Sequence, residues 1–239
     1  MSLYREKAVV LRSYKFAEAD RIIVLLSENS GKIRAVAKGI RKTTSRVGAR
    51  LEPLSHVDVQ LYRGRDLDTV RQVELIDTHT AMRVDLRRLE QGLSMVEAVD
   101  KLTPDREPVP HIYTMLSRAL RALNDGSSPI IVGAFYWKLL ASEGVAPTLE
   151  DCVRCGASSD LVAIDIQEGG ILCRSCRSGT AVSQTALDIL RQINSGGLAA
   201  ALALEETPAV REVNHIAMGL MEAHLERRLR SIGLFDRHL

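Results

Sequence analysis

Between His56 and Tyr62 the chain alternates without interruption: Val57, Val59 and Leu61 fall on one side, Asp58, Gln60 and Tyr62 on the other. A period of two predicts a strand with one buried face. Ala8 to Ser13, Arg21 to Ser27, Lys32 to Lys38 and Val70 to Ile76 share the β-branched-rich composition, and turn-forming stretches such as Asn29-Ser30-Gly31 and Arg63-Gly64-Arg65-Asp66 separate them. Five short strands in residues 1–80 make too small a sheet to lie open with one face bare, so closure into a small barrel is expected. The longest gap, Gly39 to Pro53, lies between the third and fourth strands.

From residue 81 the period lengthens. Met82, Leu86, Leu89, Leu93 and Val96 recur at three- and four-residue steps and predict one apolar stripe on a helix. A second helix is expected from about His111 to Leu123, with Ile112, Leu116, Ala119 and Leu123 on its stripe. A third starts at Ser128-Pro129 and stops at Gly144. It is apolar nearly all round, which suits the central helix of a second domain. Two more are expected, from Ser183 to Ile193 and from Thr207-Pro208 to about Ser231, each ended by glycine. No internal repeat or low-complexity segment interrupts this order.

Composition narrows the class without changing the picture. Of 239 residues 46% are hydrophobic, and 32 Lys and Arg face 30 Asp and Glu, which is ordinary for a folded chain and excludes collagen-like and disordered classes. Only nine residues are aromatic, so the core is expected to be aliphatic and no deep aromatic pocket is expected. The longest apolar stretch, Pro129 to Ala141, is broken by Lys138 and falls short of the ~20 residues of a membrane span. Arg5, Glu6 and Lys7 stand where a secretory leader needs an apolar run, so a cytoplasmic protein is expected.

All four cysteines lie in Cys152-Val153-Arg154-Cys155 and Cys173-Arg174-Ser175-Cys176, with 17 residues between the pairs. Each Cys-x2-Cys turn can aim two sulfurs at one point, and two such turns complete a tetrahedral zinc site. Four thiolates leave no position for water, so one structural Zn2+ per chain is expected, in an insertion at about residues 148–180. Four free thiols or two disulfides are the alternative. Gly156 and Gly179 fall just past the pairs, where a knuckle needs a positive φ or a close backbone approach. Arg154, Arg174 and Arg177 sit on the knuckles, and contact with phosphate and simple solvation read equally well.

Charge is segregated. Residues 1–80 hold 15 Lys and Arg against 10 Asp and Glu; the remainder holds 17 against 20. Between Asn29 and Leu51 stand Lys32, Arg34, Lys38, Arg41, Lys42, Arg46 and Arg50, with no acid among them. A solvated surface normally interleaves both signs, so these seven are the candidate nucleic-acid contacts, binding phosphate more than bases. Lys32, Arg34 and Lys38 alternate with Ile33, Ala35 and Ala37, which places the three on the outer face of the third strand. Tyr4, Tyr14, Phe16 and Tyr62 are available for stacking or for the core.

No Gly-x4-Gly-Lys-Ser/Thr, Gly-x-Gly-x2-Gly, His-Glu-x2-His or Gly-x-Ser-x-Gly motif occurs, and no catalytic centre is visible. His215 and His224 are spaced unsuitably for a shared metal. Asp66 and Asp68 read as turn chemistry, with a nuclease metal site as the distant alternative. Glu18-Ala19-Asp20-Arg21 reads as a local ion pair.

Taken in order, Val10-Leu11, Glu18-Ala19-Asp20-Arg21-Ile22, Gly31-Lys32, Ala35-Val36-Ala37-Lys38-Gly39-Ile40-Arg41-Lys42, Ser45-Arg46, Leu51-Glu52-Pro53-Leu54 and Glu74 form a series that continues into Gly144, Pro147, Cys152/Cys155, Gly169-Gly170 and Cys173/Cys176. Over essentially its whole length the chain resembles the RecO family of bacterial recombination mediators. The resemblance implies an α+β multidomain fold: an N-terminal OB-fold β-barrel over residues 1–80, then an all-α domain over 81–239 carrying the four-cysteine zinc knuckle. It implies a non-enzymatic role in DNA repair by the RecF pathway. That role comprises binding single- and double-stranded DNA, annealing complementary strands, and helping to load recombinase onto strands covered by single-strand-binding protein, in complex with RecR. Lys38, Arg41 and Lys42 inherit the DNA-contact role. No membrane and no small-molecule substrate is implied. The alternative of another class is a zinc-ribbon scaffold joining protein partners, its basic face incidental.

Overall fold

Strands form where the alternation places them. β1 (Leu3–Lys15), β2 (Arg21–Ser27), β3 (Gly31–Ala37), β4 (His56–Tyr62) and β5 (Asp68–Asp77) are joined in the order β1-β2-β3-β5-β4, and β4 pairs back onto β1, so the sheet is a closed barrel of OB-fold-like order. The structure is a computed structural model and describes residues 2–40, 48–126, 128–226 and 229. Ala8, Val10, Ile23, Leu25, Ile33, Ala35, Val57, Val59, Leu61 and Val73 fill the interior. Each buried Val, Leu or Ile among them contributes roughly 1.5–3 kcal/mol of transfer free energy. A bulge between Val10 and Arg12 shifts the β1 register and puts Arg12 and Tyr14 on the outer side.

Closure leaves one weak seam. β3 and β5 run parallel and pair only at Ala35 with Asp68 and Val36 with Thr69, so the first half of β3 has an unpaired edge. The chain fills that edge from further along its sequence: Asp105 bridges to Lys32, and the Arg106 N–H donates to the Lys32 carbonyl at 2.9 Å. The fit is close enough that a Cβ on Gly31 would lie 1.9 Å from the Glu107 carbonyl oxygen. Asp68, fully buried at the start of β5, ties the seam together. It accepts from the Tyr4 hydroxyl, from the Gly64 N–H at 2.9 Å and from Arg106 Nη2 at 2.9 Å. Glu6, also buried, accepts from the Asn29 N–H and the Ser30 hydroxyl and orders the β2–β3 turn.

Three helices follow in the same compact unit: α1 (Thr80–Val84), α2 (Leu86–Leu102) and α3 (Pro110–Asp125). The single stripe expected from Met82 to Val96 is broken. Asp85 is extended, and its side chain accepts from the Arg88 N–H to cap a new helix, which resets the phase. Leu86 is consequently 63% exposed, while Gly92, Met95, Val96 and Val99 form the buried face. The change from strands to helices falls between Asp77 and Thr80, near the expected boundary at 80, whereas the compact units divide later, after Gly126.

The second unit is built around α4 (Ile131–Ser142), buried on nearly every side as its composition predicts. The helix begins later than the expected start at Ser128-Pro129, with Ile130 in the cap position and no side-chain bond there. α5 (Gln184–Asn194), α6 (Leu198–Leu202) and α7 (Pro208–His224) complete the helices, with Ser183 and Thr207 capping α5 and α7. The expected end of the last helix near Ser231 lies outside the described residues. Polar side chains fix the packing: Trp137 Nε1 donates to Asn194 Oδ1 at 2.7 Å, and Asn214 accepts from the Gly133 N–H and donates to the Pro129 carbonyl. The unit is not all-α. β6 (Leu161–Asp165), β7 (Gly170–Cys173) and β8 (Thr180–Ala181) form a three-stranded sheet in the cysteine region. Among the described residues no helix is long and apolar enough to cross a membrane.

Burial alone would raise the pKa of Asp68, but Tyr4, the Gly64 N–H and Arg106 together hold it below the ordinary carboxylate value. A folded pKa below the unfolded one stabilises fully above about pH 4, and the contribution is lost as pH falls through the folded value. Asp68→Ala is expected to lower the unfolding free energy at neutral pH by about 2 kcal/mol or more, measured by urea titration, and to flatten the acid limb of the stability curve.

Candidate metal centre and cationic face

The β6–β7 hairpin carries the cysteine cluster. Cys173 ends β7 and Cys176 follows in a turn closed by the Cys176 N–H on the Cys173 carbonyl at 3.1 Å. The first knuckle closes in the same way, with the Gly156 N–H on the Cys152 carbonyl at 2.8 Å, and the Val153 N–H anchors it to the Ile171 carbonyl. Gly156 and Gly179 have φ of 75° and 77°, as their positions past the two pairs require. A Cβ on Gly179 would also lie 2.4 Å from the Ile164 carbonyl oxygen.

These turns bring all four sulfurs within 4.8 Å of one another, with Cys155 and Cys173 at 3.7 Å. Tetrahedral thiolates at ~2.3 Å from a common centre stand about 3.8 Å apart, so the donor set fits one metal ion. Electrostatics point the same way. Backbone N–H groups, first that of Cys173, bring the Cys152 thiol down to about 6, whereas hydrogen bonding with Cys155 and burial push Cys176 up to about 12. Four thiolates held this close repel one another, and a metal ion at their centre would offset that repulsion.

Charged groups around the cluster serve the fold. Asp165 accepts from the Gln167 and Glu168 N–H groups and from the Ser178 hydroxyl, ordering the hairpin turn. Arg154 spans the knuckles, donating to the Cys176 carbonyl at 2.9 Å and to Glu168 at 2.7 Å, so its charge is spent inside the module. Arg174 and Arg177 are exposed. The sheet under the cluster was signalled by Leu161 to Ile164 and Ile171-Leu172 flanking Gly169-Gly170, a hairpin pattern that the cysteine spacing overshadowed.

On the first unit the seven candidate cations divide. Arg34 and Lys38 are exposed, the first on the outer face of β3 and the second just past its end. Lys32 shares the outer face but its side chain is only 12% exposed, donating to the Asp100 carbonyl at 2.6 Å with the Asp100 and Asp105 carboxylates within 4 Å. Its expected place on an open cationic face is therefore corrected: the end of α2 covers it. Arg50 donates to the Val73 carbonyl at 2.9 Å from the 3-10 turn Gly48–Leu51. Arg41, Lys42 and Arg46 lie outside the described residues.

Arg12 is not among the seven candidate cations, and the sequence leaves Tyr14 between stacking and core; simple alternation from Ala8 and Val10 points both inward, and the bulge after Val10 turns them out. Arg12 pairs with Asp100 at 2.7 Å and lies 5.5 Å from the Tyr14 ring centroid. The Glu18 to Arg21 stretch is tied beyond itself: Arg21 reaches Glu52 at 3.1 Å, and Asp20 accepts from the Gly39 N–H. Asp66 is exposed while Asp68 is buried and fully engaged, so they do not form a metal pair. Among the described residues the four cysteines are the one group of three or more potential ligands that converges, and His215 and His224 belong to none.

Cys173→Ala is expected to abolish retention of one metal ion per chain, measured by elemental mass spectrometry, and to lower the thermal midpoint by several degrees. Full metal content in that variant would remove the centre.

Residues 1–79 match the family profile described as "Recombination protein O N terminal", and residues 83–232 match "Recombination protein O C terminal". The DNA repair protein RecO of Cutibacterium acnes (strain DSM 16379 / KPA171202) is 40% identical over 247 aligned residues, covering 99% of this chain and 100% of the relative. With the two profiles matching in order along nearly the whole chain and a relative of this identity aligned end to end, the chain belongs to the RecO family of DNA repair and recombination proteins.

Proposed function

We propose that the chain is a DNA-binding recombination mediator that anneals complementary strands and helps load recombinase onto single strands covered by single-strand-binding protein. The observation that carries this reading is the outer face of β3, where Arg34 and Lys38 remain exposed at the head of a stretch that continues through Arg41, Lys42 and Arg46 without a carboxylate. Lys32 and Arg50 support the fold at the edges of this track. The OB-fold reading of the sheet, the family membership and the name of the relative all favour the same role.

Mechanistically, two phosphate backbones repel at one charge per phosphate, and a cationic surface screens that repulsion while strands search for register. No bond is made or broken, so neither a nucleotide nor a catalytic metal is needed, and the protein acts as a mediator, not as an enzyme. The cysteine cluster is assigned as a structural Zn2+ site: with Cys152, Cys155, Cys173 and Cys176 bound, the sphere is closed to water. RecR and single-strand-binding protein are the protein partners this reading carries, and the cytoplasm, at the nucleoid, its place of work.

A strand-annealing assay without ATP or divalent cation tests the reading. Annealing faster than the spontaneous rate is expected. Cleavage would favour a nuclease, and neither outcome would leave a protein scaffold, each overturning the proposal. In titrations of single-stranded DNA against salt, Arg34→Ala combined with Lys38→Ala is expected to weaken binding and to reduce the slope of log K against log salt by about 1.4, two phosphates at ~0.7 each.

A further inference from the structure

Two aromatic residues stand near the end of β1: Tyr14 on its outer side and Phe16 just past its last residue. Strand register sets Arg12, Val24 and Arg34 in one cross-strand row and Tyr14, Ile22 and Val36 in the next. Arg34 Nη2 donates to the Tyr14 hydroxyl at 2.9 Å, and the Arg12 guanidinium lies 5.5 Å from the ring, so two cations hold Tyr14 in a fixed pose. Ile22 and Val36 are buried beside it. Phe16 follows just past the end of β1 and is 55% exposed. The Phe16 N–H donates to the Asp20 carbonyl at 3.2 Å, and the Asp20 carboxylate accepts from the Gly39 N–H, so the turn that presents Phe16 is braced against the end of β3, next to Lys38.

An exposed Phe costs hydration free energy unless a partner covers it. The groups around it choose the partner. They are Arg34 and Lys38, exposed cations suited to phosphate, and Tyr14, whose ring is already aligned by guanidinium groups. A flat π-face alternating with anionic charge at short spacing describes a single nucleic-acid strand, whose bases are free to leave one another and stack on protein rings. In a duplex the bases are already stacked, so their faces are not available to a protein ring and only their edges and the phosphates are presented.

We propose that Tyr14 and Phe16 form a base-stacking platform for single-stranded nucleic acid, with Arg34 and Lys38 holding the adjoining phosphates. This rests on the DNA-binding reading of the first unit and adds the element that separates single strands from duplexes. Phosphate contacts on Arg34 and Lys38 serve both forms; stacking on Tyr14 and Phe16 serves one.

The test is fluorescence anisotropy with the full chain and three labelled probes of equal length: oligo-dT, an abasic strand and a duplex. Phe16→Ala is expected to weaken oligo-dT binding at least about fivefold, leaving the abasic strand and the duplex unchanged, and Phe16→Trp to restore it. Because Phe16 is exposed, the thermal midpoint is expected to stay put, which separates lost stacking from lost fold. Equal loss on all three probes, or no loss on oligo-dT, overturns the platform while the DNA-binding reading stands. A wild-type chain that binds none of the probes overturns both.

Discussion

Like charges brought together must be offset by charge of the other sign, and each unit of this chain meets that requirement in its own way. In the barrel, the buried Asp68 carboxylate is matched by Arg106, by the Tyr4 hydroxyl and by the Gly64 N–H, so the seam between β3 and β5 closes around a satisfied anion. In the cysteine module four sulfurs converge where one thiolate hinders the next, and the module's own cation, Arg154, is turned to carbonyl and carboxylate oxygens instead. On β3, exposed cations stand with no acid in the surrounding sequence. The first case is settled internally. Under the proposed function the other two would be offset from outside, by a metal ion in one and a polyanion in the other.

Barrel closure decides which cations remain open. A five-stranded sheet closes with β3 and β5 barely paired, and the stretch after α2 must lie along the exposed edge of β3. The end of α2 sets Asp100 against Lys32 and Arg12, and the stretch after it sets Asp105 against Lys32, so this end of the outer face is engaged within the fold. The open end is the one nearer Tyr14, Arg34 and Lys38. The same packing that protects an aggregation-prone edge thus leaves the exposed cations at one end of the β1–β3 face.

Where reading from sequence went astray, local geometry had overridden pattern. The period from Met82 to Val96 is helical throughout, but a single extended residue, Asp85, caps a second helix and rotates the buried face from Leu86 toward Met95 and Val99. The cysteine region was read for its metal spacing alone, although Ile164 and Ile171 mark a hairpin whose strands hold the knuckles in place. In both places the competing signal was present and short. Strong periodicity or strong chemistry nearby hid it.

Properties that depend on neighbours in sequence were legible without coordinates. Alternation in His56 to Tyr62, the nearly all-apolar run of α4 and the Cys-x2-Cys spacing each follow from what residues a few positions apart can do, because strand period, helix burial and knuckle geometry are local. Tertiary structure decided the pairings across long separations. Asp68 with Tyr4, Lys32 with Asp100 and Trp137 with Asn194 join residues more than fifty positions apart. No spacing rule encodes such contacts, since they exist only once closure and packing bring the partners within hydrogen-bond range. Seven basic residues could therefore be counted from the sequence, but which of the four described ones, Lys32, Arg34, Lys38 and Arg50, remain exposed was set by the fold.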